Sequence, residues 1–80
     1  MFDYYWYVIK DNKNMTYEVL GPVFDDREYD AAVCKAQKNG HDISSTTANV
    51  SSTSLEELCN SMEAMGFKYD NMLSIKIGIL

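Results

Sequence analysis

Apolar and polar positions alternate along this chain in stretches that predict a small ββα(β)αβ order. Tyr4, Tyr5, Trp6, Tyr7, Val8 and Ile9 are aromatic or β-branched, which suits a pleated surface, so residues 3–10 read as a first strand. Asp11 to Asn14 are turn formers, because Asp and Asn bond their own nearby backbone. Residues 15–20 then read as the second strand of a hairpin. The register stays open. A two- or four-residue loop pairs Trp6 with Val19 and Val8 with Tyr17, whereas a three-residue loop pairs Tyr7 with Val19 and Ile9 with Tyr17. The two choices turn opposite faces of strand 1 to the core. In either one strand 1 is aromatic on both faces, and the reading adopted places Trp6 inside with Tyr5 and Tyr7 outside, where a tyrosine hydroxyl meets water.

Gly21-Pro22 is expected to end the hairpin. Asp25 and Glu28 form a capping box, with Phe24 and Tyr29 as its hydrophobic staple, and predict a helix over 26–39. Tyr29, Ala32, Val33 and Ala36 are its apolar stripe, and Gly40 is its left-handed terminator. Residues 44–54 are dominated by Ser and Thr; a short edge strand near 43–50 and a loop are both compatible with them. Ser54 and Glu57 form a second capping box. Leu55, Leu58, Cys59, Met62 and Met65 share one stripe of the second helix, which Gly66 ends. Finally Leu73, Ile75, Ile77 and Ile79 alternate with Ser74, Lys76 and Gly78, which predicts a half-buried C-terminal strand. The expected fold class is α+β: one domain over residues 1–80, a mostly antiparallel sheet with two helices packed on one face.

Composition narrows the function classes. A chain of 80 residues makes one domain with a thin core. Its net charge is −5, which opposes broad nucleic-acid binding. No apolar run is long enough to span a membrane and no signal-peptide pattern opens the chain, so a cytoplasmic location is expected, in a host cell if the chain is phage-encoded. Two cysteines make no disulfide scaffold. Cys59 lies on an apolar stripe and Cys34 lies off one, which makes the first a core residue and the second an exposed thiol.

Candidate chemistry is sparse. The single histidine, His41, stands in a loop with no nucleophile signature beside it, and helix geometry puts it about 10 Å from Cys34, too far for a dyad. No zinc spacing, calcium loop or glycine-rich phosphate loop is present, so no catalytic residue, metal or cofactor is expected and the chain reads as a non-enzyme. The carboxylates gather instead at two helix starts: Asp25, Asp26, Glu28 and Asp30, then Glu56 and Glu57. Capping and the helix dipole account for part of this. The remainder suggests an acidic patch, with Tyr5, Tyr7, Glu18, Asp25, Asp26, Asp30, Glu56 and Glu57 as candidate interface residues for a basic partner.

The segment Tyr17 to Glu28 resembles the strand–Gly-Pro–Phe–helix junction of SPOR-type peptidoglycan-binding domains. Val23 is inserted between Pro22 and Phe24 and the chain opens with a hairpin, so that family is not assigned. As a whole, short, acidic and free of catalytic motifs, the chain resembles the small phage and mobile-element accessory proteins that inhibit host defence, the anti-CRISPR proteins among them. The resemblance is one of kind and implies a protein partner: a host protein or ribonucleoprotein complex with a basic surface. Two alternatives remain open: a nucleic-acid-binding module stacking bases on exposed sheet aromatics, and an assembly protein that pairs as a homodimer.

Overall fold

A computed structural model describes residues 4–50 and 52–79. In chain order the elements are β1 (Tyr5–Asp11), β2 (Thr16–Val23), α1 (Arg27–Lys38), β3 (Ile43–Asn49), α2 (Ser52–Ala64), β4 (Lys68–Tyr69) and α3 (Leu73–Lys76). The strands form one sheet in the order β3-β1-β2-β4. β1 is antiparallel to both neighbours, and β4 runs parallel to β2. The α+β class and the mostly antiparallel sheet are therefore as the sequence predicts. Of the two readings open for the Ser/Thr segment, the edge strand is the one formed: β3 pairs with β1 along its whole length, from Tyr5↔Asn49 to Asp11↔Ile43.

The hairpin has a four-residue loop, with Asp11 opposite Thr16 and Val8 opposite Val19. Both pairings considered from sequence are displaced, by two residues and by one respectively. Gly21-Pro22 does not end the hairpin but lies inside β2, at a register shift opposite the Tyr5–Tyr7 segment. The Gly21–Pro22 bond is cis, and Gly21 has φ +113°. A Cβ there would sit 3.0 Å from the Val23 nitrogen and 3.3 Å from the Tyr5 carbonyl oxygen, so glycine is required at this bulge.

The helices do not share one face. α1 and α3 cover one side of the sheet, where Tyr7, Ile9, Leu20, Val33, Ala36, Ile43, Leu73 and Ile77 cluster. On the other side α2 brings Met62, with Leu55, Leu58 and Cys59, onto Val8, Tyr17 and Phe67. The strand order explains the division. From β2 the chain moves across β1 to β3, then back over the whole sheet to β4, and β2, β3 and β4 are mutually parallel. Crossovers between parallel strands are right-handed, so reversing the direction of travel moves the connecting helix to the opposite face. With both faces covered, β1 does not have to choose which aromatic to bury. Tyr7 is fully buried and Tyr5 and Trp6 are half-buried, which corrects the placement of Tyr7 outside.

The predicted C-terminal strand is instead one turn of helix, α3. Leu73 and Ile77 are buried and Ile75 is exposed, an i, i+4 spacing in place of alternation. Three features favour the turn. The Asp70 side chain accepts from the Met72 N–H at 2.9 Å, and Glu18 Oε1 accepts from the Ser74 N–H at 2.7 Å. Gly78 is left-handed, with Ile79 N–H bonded to the Ser74 carbonyl and Gly78 N–H to that of Ile75. That is the Schellman pattern. The same pattern ends α1 at Gly40 and α2 at Gly66, both read correctly from sequence.

The helix starts differ from the predicted capping boxes. Asp26, not Asp25, is the N-cap of α1 and makes no side-chain cap bond. Phe24 meets Tyr4 edge-to-face at 5.8 Å, and Tyr29 stacks on Tyr7 at 5.2 Å, so these rings serve contacts other than a staple. α2 begins at Ser52, which leaves Ser54 inside it.

Candidate functional site

The start of α1 and the start of β1 meet, and this brings four of the predicted site residues together. Asp25 lies in the segment joining β2 to α1. Its carboxylate accepts from the Arg27 N–H at 3.1 Å, an Asx turn that sets the approach to the helix. The same carboxylate pairs with the Arg27 guanidinium through Nε and Nη2, at 2.7 Å for the shortest contact. Those bonds hold the Asp25 carboxyl below its ordinary pKa. Asp25 is therefore already neutralised in part, and the charge left open to a partner sits on Asp26, Glu28 and Asp30. Burial raises the Tyr5 phenol pKa, and the carboxylates of Asp26, Asp25 and Asp30 push it the same way, so a negative field surrounds that hydroxyl.

Two exposed rings lie at the same junction. Tyr4 is 51% and Phe24 58% exposed, and they hold each other edge-to-face. An open groove of about 550 Å³ runs beside them, lined by Phe24, Asp25, Arg27, Glu28 and Ala31. Neither Tyr4 nor Phe24 stands among the residues chosen from sequence. The signal for Phe24 is its position just before the helix start, which the staple reading assigned to packing.

The other predicted residues fall elsewhere. Tyr7 is buried, and its hydroxyl donates to Asp30 Oδ1 at 2.7 Å, so only its tip approaches the patch. Glu18 is 6% exposed and caps α3 beneath the sheet, which removes it from any surface. Its place in β2 follows from hydrophobic pairing, but its burial depends on α3, which the sequence reading had as a strand. Glu56 and Glu57 are exposed on α2, on the opposite face of the sheet from α1. The two acidic helix starts are thus two separate surfaces.

A base-stacking platform is not formed on β1, because helices cover both faces of the sheet and Tyr7 is buried between β1 and α1. At the far end of the sheet a cavity of about 140 Å³ lies between Asp11, His41, Asp70 and Lys76 over Leu73 and Ile77. This is below the ~300–1,000 Å³ of small-molecule sites. Its carboxylates are committed: Asp11 accepts from Lys13 N–H and Asn14 N–H, and Asp70 pairs with Lys76 Nζ at 2.7 Å. Among the described residues no three His, Cys, Asp or Glu side chains gather to hold a metal ion, and no helix is long and apolar enough to cross a membrane. Cys34 is exposed, as its position off the stripe of α1 predicts; Cys59, read as a core residue, is half-buried on α2 and packs against the Met62 cluster.

No family model, curated protein or solved structure matches this chain.

Proposed function

We propose that the protein is a non-enzymatic, protein-binding inhibitor that uses the start of α1 to cover a basic surface on a nucleic-acid-handling host defence complex, in the manner of anti-CRISPR proteins. The observation that carries this is the exposed Phe24, held against Tyr4 and lining one groove with Asp25 and Glu28, at the helix start that also carries Asp26 and Asp30. Carboxylates speed encounter with a basic surface, and aromatic rings supply the buried anchor of a contact. The Asp25–Arg27 pair fixes the segment that presents both. The α2 carboxylates Glu56 and Glu57 lie on the other face and take no part in this contact.

The test is inhibition of nucleic-acid binding by the RNA-guided effector complexes of candidate hosts, with purified protein at micromolar concentration. Inhibition that Asp26→Lys with Asp30→Lys weakens, and that Phe24→Ala weakens separately, supports the reading. No inhibition of any such complex, or inhibition indifferent to all three substitutions, overturns it.

A further inference from the structure

We infer that the outer edge of β3 pairs with the same edge of a second copy, in antiparallel register about a two-fold axis at Thr47. The hydrogen-bonding directions along β3 follow from two contacts. The Asn12 N–H donates to the Asp42 carbonyl at 2.8 Å, which extends the β1–β3 ladder by one residue and identifies 12↔42 as a bonded pair. Bonded pairs alternate in an antiparallel ladder, so Ser44, Thr46 and Ala48 turn their backbone groups toward β1. Ile43, Ser45, Thr47 and Asn49 turn theirs outward. The Ile43 carbonyl confirms this, since it accepts from Gln37 Nε2 of α1 at 2.8 Å. The backbone groups of Ser45, Thr47 and Asn49 have no such cover, and β3 is the edge of the sheet among the described residues.

Natural edge strands are guarded by charge, proline or a bulge. β3 has none of these: its sequence ISSTTAN is uncharged, and its register with β1 is unbroken over all 7 residues. In a chain of net charge −5 this stretch is unusual in placing no carboxylate against a copy of itself. With the axis at Thr47, each Thr47 faces its counterpart and Ser45 faces Asn49 of the partner, and each pair exchanges both N–H···O=C bonds. Thr46 then lies opposite Ala48, so no charge or bulk opposes the pairing. A foreign strand would need pockets for its alternate side chains to be recognised. The cavities described above lie at the hairpin end and at the start of α1, off this edge. An axis at Thr47 is the one that pairs all three uncovered residues, Ser45, Thr47 and Asn49, and a second copy supplies the complementary edge without side-chain pockets, which favours it as the occupant.

Sedimentation of the full chain over a dilution series tests this. A reversible monomer–dimer equilibrium is expected, with the amides of Ser45, Thr47 and Asn49 gaining protection from hydrogen exchange as concentration rises. Thr47→Lys and Thr47→Glu alter an exposed side chain and place like charges face to face, so each variant alone is expected to be monomeric with an unchanged circular dichroism spectrum. Mixed in equal amounts, the two are expected to recover the dimer. A wild-type chain that stays monomeric at every concentration overturns the inference, as does a dimer that both variants keep or exchange protection confined to other amides. None of these substitutions touches the start of α1, so failure here leaves the inhibitor reading to its own test.

Discussion

The Tyr7 hydroxyl, from the centre of the sheet, donates to Asp30 Oδ1 of α1 at 2.7 Å. The arrangement is repeated on the other face, where the Tyr17 hydroxyl donates to Glu63 Oε1 of α2 at 3.1 Å. α1 and α2 are thus each tied to a strand by one phenol and one carboxylate. Burial raises the Tyr7 phenol well above its ordinary pKa, with a Ser45 hydrogen bond opposing and the Asp30 carboxylate reinforcing the shift. Burial and then Glu63 raise that of Tyr17.

These shifts make the fold sensitive to alkali. A phenol with a raised folded pKa holds its proton more tightly in the native state, so its contribution is complete below the ordinary value of 10.0 and declines as pH rises above it. Unfolding followed by circular dichroism is expected to show stability falling above that value. Tyr7→Phe should cost about 1–2 kcal/mol at neutral pH and flatten part of the alkaline decline. An unchanged alkaline slope in Tyr7→Phe would remove Tyr7 as its source.

Glu18 supports α3 through a buried hydrogen bond to the Ser74 N–H. Glu18→Ala leaves that donor unpaired and is expected to lose about 1–3 kcal/mol, whereas Glu18→Gln keeps an acceptor and loses less. Hydrogen exchange at the Ser74 amide reads the effect locally, and it should quicken in Glu18→Ala well before the amides of β1 do.

Asp11 organises the hairpin loop, accepting from the N–H groups of Lys13 and Asn14 and from Asn14 Nδ2. Burial pushes its pKa up, but these bonds outweigh it and hold the carboxyl below the ordinary 3.8. A depressed carboxylate stabilises the fold above that value and loses its effect as pH falls below it. Asp11→Ala should therefore cost about 1–2 kcal/mol at neutral pH, and the gap to wild type should narrow in acid. Urea unfolding at the two pH values measures both; a gap that persists in acid would assign it to packing.

Met62 and Met65 share a stripe in the sequence but not in the fold, since Met62 is 1% and Met65 58% exposed. Met62→Ala is expected to cost about 2–5 kcal/mol and Met65→Ala about 0.5 kcal/mol or less, by thermal or urea unfolding. Met65 lies at the Schellman turn before Gly66, where the chain leaves the helix and Phe67 takes over the contact with the core.

What the residues determine locally is clear in particular elements. The aromatic, β-branched run of β1, the stripe of Val33 and Ala36 and the glycines that end α1 and α2 act over a few residues, where propensity and capping decide. The clustering of Asp25, Asp26 and Asp30 is legible for the same reason, being six positions of one helix start. The placement of Glu18, Tyr7, Glu56 and Glu57 is not local. It depends on strand order, and nothing within a strand states which neighbour it will take. The order β3-β1-β2-β4 sends α1 and α2 to opposite faces, and this buries Tyr7 and parts the two acidic helix starts. Ile75 and Gly78 fit a strand and a helix end equally well by sequence. The Glu18 carboxylate, reaching Ser74 from 56 residues away in the chain, favours the helix end.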